Sequence, residues 1–260
     1  MKTTKETKSS MKIGGASIAW VTLYGALCGV TALVPIFPYV GGGGYVPLQT
    51  IFSAIAPLLL GPLAGITAAV IGGLIGMFIA PAAFPLQLVD VILTGALPAL
   101  YVSVAIHNDR WWKWGVPLAV LTGVFGFLFP FYVPGAAAGF GQPPQPTQFL
   151  LSGYYWILPL IVLATPLGRR IFPAWARSTD RKSRYLGIFL CYLTGMLLWW
   201  LPWSLPYWYV FKYEVALGIA TYIGYTWWVP AFAAVTTVIT IPLLEALSRS
   251  GLPKIKDSLW

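Results

Sequence analysis

Apolar runs, each interrupted by at most one charged residue and separated by short polar connectors, dominate this chain. A helix needs about 20 such residues to span a hydrocarbon core of about 30 Å. Eight runs predict eight crossings: 16–37, 47–60, 63–80, 85–106, 115–133, 149–167, 186–203 and 217–247. The expected fold class is all-α, a polytopic transmembrane helical bundle. Two runs depart from the ideal length. The second has 14 residues and reaches only about 21 Å at helical rise. The last has 31 and is expected to be one tilted or kinked helix, bent at Pro230.

Charge decides between counts. With eight crossings, only Lys212 of the 16 Lys and Arg residues falls on the side opposite the N-terminus. Cytoplasmic connectors carry such an excess, so both termini are expected inside. Merging 47–80 into one bent span would turn the Arg-rich stretch 169–184 outward, and splitting the last run would do the same to Lys254 and Lys256.

Composition excludes the soluble classes. With 58% hydrophobic and 9% charged residues, lipid must be the solvent. A formal charge of +9 would suggest nucleic acid in a soluble protein, but here the basic residues flank apolar runs, where orientation explains them. The bilayer is the expected partner and nucleic acid is not. Residues 1–12 resemble the basic end of a signal peptide, yet the following run is too long for one and is expected to be retained. The chain divides into a cytoplasmic segment 1–15, a membrane core 16–167, a basic connector 168–185, two further helices in 186–247 and a cytoplasmic tail 248–260.

Little covalent chemistry is legible. Cys28 and Cys191 fall at helical depths differing by about 10 Å, too far apart for a disulfide. With the lone His107 they assemble no metal site, and no nucleophile, Walker or dinucleotide motif is present. No enzyme activity and no cofactor are expected.

The informative region is 41–90. Four glycines, Gly41–Gly44, form a mobile connector or a gate over a pocket. The following stretch sets small residues four apart, as in Gly61 and Gly65, Ala68 and Gly72, and Gly72 and Gly76. Such spacing makes a groove for close helix approach, and packing within the chain is the expected use of most of these pairs. In the fourth run Gln87, Asp90, Thr94 and Tyr101 share one helical face. Asp90 lies roughly 8 Å into that helix, where a carboxylate needs water, a partner or a proton. Three readings fit it: a structural pair with Lys212 or a helix-capping role, a protonated acid, or an acceptor for a bound ligand. Trp111, Trp112, Trp114, Trp203, Tyr207, Trp208 and Tyr209 are expected in interfacial belts. Tyr154, Tyr155 and Trp156, after a proline-rich loop, serve either that purpose or stacking on a flat ligand.

The order of these features resembles a known family. A first helix, a glycine-bearing outer loop with VPLQT, a short helix, LLLGPLAG at an inner turn, a Gly/Ala-rich third helix and a proline-bounded fourth resemble the substrate-binding S component of energy-coupling factor (ECF) transporters. The likeness is to the biotin-type members, over about residues 16–106. The resemblance implies a six-helix receptor for a vitamin or similar nutrient, opening outward and closed by the first loop. Its implied partners are a transmembrane coupling subunit and two cytoplasmic ATPases, docked through small residues of the first helix; the matching positions are Gly15, Ala19, Gly25 and Gly29. The seventh and eighth helices have no counterpart in that family. The expected substrate-binding set is Tyr45, Gln49, Gln87, Asp90, Thr94, Tyr154, Tyr155 and Trp156.

Overall fold

A computed structural model describes residues 11–39, 42–128, 150–151, 153–212 and 215–260. Lys2, Lys5 and Lys8, Gly41, the end of the fifth run and the proline-rich loop lie outside the described residues.

Two glycines set the first feature. Gly14 and Gly15 take φ of 57° and 96°, the left-handed pair that a two-residue hairpin turn requires, so Lys12–Ile13 (β1) folds back on Ala16–Ser17 (β2). The Ser17 hydroxyl then caps helix α1, Ile18–Thr31, by accepting from the Trp20 N–H at 3.4 Å. The first helix ends at Thr31, before the expected residue 37. Pro35 and Pro38 have no N–H for a helical ladder, and Pro35–Pro38 (β3) pairs instead with Tyr45–Pro47 (β4). Gly42–Gly44 thus lie at the tip of an antiparallel hairpin.

Helix α2, Gln49–Leu60, and helix α3, Pro62–Ile79, meet at Gly61. Every residue of α2 except Phe52 is buried. Its shortness is thereby explained: a helix surrounded by protein need not match the hydrocarbon thickness that a lipid-facing helix must. The small residues of α3 serve three neighbours. A side chain at Gly65 would strike Ala56 and Pro57 of α2; at Gly72, Cys28 of α1; at Gly73, Val91. Packing within the chain therefore uses the groove.

Helix α4 spans Leu88–Ile106, and α5, Asn108–Gly123, follows after His107 alone. Helices α6, Gly153–Ala164, and α7, Leu167–Ala176, meet at 67°. Helix α8, Arg181–Val210, runs 30 residues through Pro202 and Pro206. Helices α9, Val215–Gly224, and α10, Trp228–Arg249, are separated by the turn at Tyr225. The helix is thus interrupted just before Pro230, whose ring excludes the carbonyl four residues back. Among the described residues, four stretches are long and apolar enough to cross a membrane: α3, α4, Arg181–Ser204 and Ala216–Arg249. The bent pair α6–α7 makes a fifth, while α1 and α2 are apolar but shorter.

Residues 251–260, part of the stretch expected as a cytoplasmic tail, are docked. Leu58 cannot complete its helical bond because residue 62 is a proline without N–H. Its carbonyl accepts instead from the Leu259 N–H at 2.8 Å, and that of Leu59 accepts from the Trp260 indole at 2.7 Å. A side chain at Gly15 or Gly61 would collide with Lys256. Arg110 pairs with Asp257 at 2.9 Å, and Arg184 donates to the Leu259 carbonyl at 3.0 Å. The first hairpin, the α2–α3 turn, the α4–α5 junction, the start of α8 and the terminal segment therefore share one end of the bundle. At the other end Gly44 lies against Ala82, Phe37 against Trp228, and Tyr39 against Tyr207.

His107 sits at the first of these ends, just past α4, and is buried. Its Nδ1 lies 3.0 Å from an Arg177 Nη, which fixes the ring neutral with Nδ1 as acceptor. Burial, reinforced by the Arg177 charge, pushes its pKa down to about 4. An unfolded chain takes up that proton near the ordinary value of about 6.5. Stability is therefore fully present above about pH 6.5 and falls as pH drops towards 4, by on the order of 3 kcal/mol in total. Unfolding midpoints of the detergent-solubilised protein between pH 7.5 and 4 should show this slope. It should flatten in His107→Gln, which keeps an acceptor but no titrating ring; an unchanged slope removes His107 as the cause.

Candidate functional site

A proline shapes the helix that carries Asp90. Residues Val91–Ala96 form a π turn within α4. In that geometry the Leu93 carbonyl faces residue 98, which is Pro98 and has no N–H. The orphaned carbonyl is captured by the Trp199 indole of α8 at 2.6 Å. One turn later the Trp203 indole donates to Thr94 Oγ1 at 3.1 Å, and Tyr207 donates to Asp90 Oδ1 at 2.8 Å. Trp199, Trp203 and Tyr207 are four residues apart, so one face of α8 zips along α4.

Asp90 is fully buried. It is the third residue of α4, and its Oδ2 reaches back to accept from the Leu86 N–H at 2.6 Å. This is the reach-back of a capping box moved by one residue. Both donors are neutral, and the ion pairs formed among the described residues do not include Asp90. Lys212 is exposed, with φ of 53°, beyond the end of α8. Of the readings left open in the sequence, helix capping is the one whose hydrogen bonds are present.

Tyr39, from the hairpin, covers this site. Its hydroxyl lies 3.3 Å from that of Tyr207, and its ring meets Trp203 and Tyr207 edge-on with centroids 5.4 Å and 5.5 Å apart. The rings continue inward: Trp203 contacts Trp200 at 5.0 Å, and Trp200 stacks on Tyr155 at 6.0 Å. Phe37 packs against Tyr225 at 4.9 Å, so the first strand of the hairpin also closes on an aromatic partner. The result is an acid roofed by one tyrosine and walled by indoles whose N–H groups are directed to Leu93 and Thr94. Ring faces in such a setting suit a flat or cationic group.

Not all the expected residues meet here. Asp90 and Thr94 do, and Tyr155 joins through Trp200. Tyr154 donates to the Thr226 carbonyl at 2.8 Å and Trp156 to Ala119 at 3.0 Å, so their polar tips are spent on backbone. Gln87 departs from the expected stripe: with φ of 54° it precedes α4 and is exposed. Its spacing from Asp90 carries no facial meaning because the helix has not begun. Tyr101 is buried and hydrogen-bonded to Thr122 of α5 rather than to α8. Tyr45 donates to the Ala32 carbonyl at 3.1 Å, tying the hairpin to the end of α1. Gln49 is fully buried near Gly76 and Phe84, with no partner among the described residues for its amide; the hydroxyls of Thr50 and Ser53 are in the same position.

Two further expectations are corrected. Trp203 and Tyr207 are not belt residues but buried beside the acid; their spacing of four with Trp199 was the available signal. Gly25 and Gly29 do not offer an open docking face, because a side chain at either would strike Ile71 or Ile75 of α3. Gly15 is taken up by the first turn, and Ala19 is exposed. Comparison with known families, characterised proteins and solved structures finds no match to this chain.

Proposed function

We propose that the chain is the membrane-embedded substrate-binding subunit of an ECF-type importer, taking a vitamin or similar small nutrient from outside. One observation carries this reading: a buried carboxylate with only neutral hydrogen-bond partners lies beneath a glycine-tipped hairpin, against an aromatic wall. Intramembrane carboxylates mark ligand pathways, and a hairpin that contributes one tyrosine over the acid is suited to act as its lid. In this arrangement the site is closed, with Tyr39 seated where a ligand would meet Tyr207 and Asp90. Opening requires the hairpin to swing away about its base at Val34 and Leu48, while Gly42 and Gly43, at φ of 78° and 85°, form its turn.

The reading takes eight crossings of the cell membrane, with N- and C-termini in the cytoplasm and the hairpin outside, and the grouping of the ends supports it. The protein itself does no covalent chemistry. ATP bound to two partner ATPases drives reorientation through a coupling subunit, and the exposed apolar face of α1, from Ala19 through Leu23 and Leu27 to Val30, is the surface offered to it. The test is native mass spectrometry of the gently solubilised protein against a vitamin panel, with thermal shift as second readout. A receptor retains one compound in a 1:1 adduct and is stabilised by it. A chain that copurifies with protein partners and shows no ligand-dependent shift across the panel is an assembly subunit instead.

A further inference from the structure

A groove of about 620 Å³ runs along the outer surface of α8 and α10, lined by Arg181, Lys182, Tyr185, Leu186 and Phe189 on one side and Ala234, Thr237 and Val238 on the other. The volume is within the range of small-molecule sites. Its chemistry is graded along its length. Arg181 and Lys182 open α8 at the end of the bundle that holds the terminal segment, and both are exposed. The Arg181 guanidinium is held over the Tyr185 ring, 5.6 Å from its centroid. Beyond it the wall is apolar. Phe189 lies eight residues from the start of α8 and Val238 eleven from the end of α10, depths of about 12 and 16 Å. Those depths match one leaflet, half of a hydrocarbon core of about 30 Å.

The geometry points to a site for one anionic phospholipid. Its phosphate is taken by Arg181 and Lys182, and an acyl chain lies along Tyr185, Phe189 and Val238. Charge selects the class of lipid: two cations sit at the mouth, with one acid, Glu245, near enough to interact with Arg181. The nearby Asp180 is engaged by the Ser183 N–H and hydroxyl at 2.9 and 2.7 Å. A generic basic boundary would serve orientation alone, whereas here the two charges cap a groove long enough for a chain. Arginine matches the phosphate in geometry as well as charge.

The test is titration of the purified protein with phosphatidylglycerol and with phosphatidylcholine of the same acyl length, read as bound lipid by native mass spectrometry. Wild type should hold one phosphatidylglycerol preferentially. Arg181→Gln with Lys182→Gln should weaken that binding by about fivefold per charge removed. Lys254→Gln with Lys256→Gln, which removes equal charge at the same end outside the groove, should leave it unchanged. Ala234→Phe, which fills the groove and keeps both cations, should also abolish the 1:1 adduct. Equal loss in the two double variants, equal retention of both lipids, or full binding by Ala234→Phe would each overturn the site. The readout does not involve the nutrient, so a failed vitamin panel leaves this result standing.

Discussion

Asp90→Asn is expected to bind the nutrient ten- to hundredfold more weakly than wild type while staying monodisperse and folded. The substitution keeps shape and one acceptor, so either Tyr207 or Leu86 retains its hydrogen bond. The other donor then faces an amide NH₂, at a cost of about 1–2 kcal/mol to the fold. The ligand loses more than the fold does. A hydrogen bond to a charged group contributes about 1.5–3 kcal/mol, which is the stated loss at about 1.4 kcal/mol per tenfold. Isothermal titration with the compound retained from the vitamin panel measures it. Tyr207→Phe separates the two roles of the acid: it removes the donor to Oδ1 without touching the charge, so it should lower stability more than affinity. Unchanged affinity in Asp90→Asn would place the ligand elsewhere and leave Asp90 a helix cap.

Gly72→Ala is expected to destabilise the bundle strongly for a single added methyl. A Cβ built there lies 2.4 Å from Cys28 Cβ and 3.0 Å from the Gly25 carbonyl oxygen. Neither neighbour is the flexible end of a side chain, so relief requires α1 and α3 to separate. Overpacking of this kind typically costs about 1–3 kcal/mol, and the upper part of that range is expected because α1 and α3 meet through small residues along their length. Helix association in lipid depends on such close approach, since burial between helices gains little over burial in acyl chains. Thermal unfolding in detergent should show the loss. Cys28→Gly in the same chain removes the opposing Cβ and should restore part of it, with a coupling of about 0.5–3 kcal/mol. Additive losses in the double variant would mean that the two residues do not collide.

The grouping of the first hairpin, the α2–α3 turn, the α4–α5 junction and the terminal segment at one end was legible because it follows from counting. Each apolar run reverses the side of the next connector, and the basic residues then sort themselves. The contacts of Lys256 with Gly15 and Gly61, and of Asp257 with Arg110, bring together the segments that this count puts on one side. The small-residue stripe of α3 was legible as packing for a similar reason, since a period of four on a helix is a local property. Asp90 stood out because a carboxylate in an apolar run has few inexpensive explanations.

The partners of these residues were not legible. Trp203 and Tyr207 read as belt residues because their sequence position, near the end of a run, is the same whether their rings face lipid or protein. Rotation of α8 about its axis decides which, and only packing against α4 sets it. Gln87 read as part of the stripe because spacing assumes an unbroken helix, whereas its left-handed backbone turns it away. Local periodicity and charge thus determined which segments are helices, which ends group together and that one acid lies within an apolar helix. The tertiary structure decided that the acid faces a ladder of aromatic rings under a hairpin, because contacts between residues more than a hundred positions apart depend on helix rotation and register, which sequence spacing within one helix does not encode.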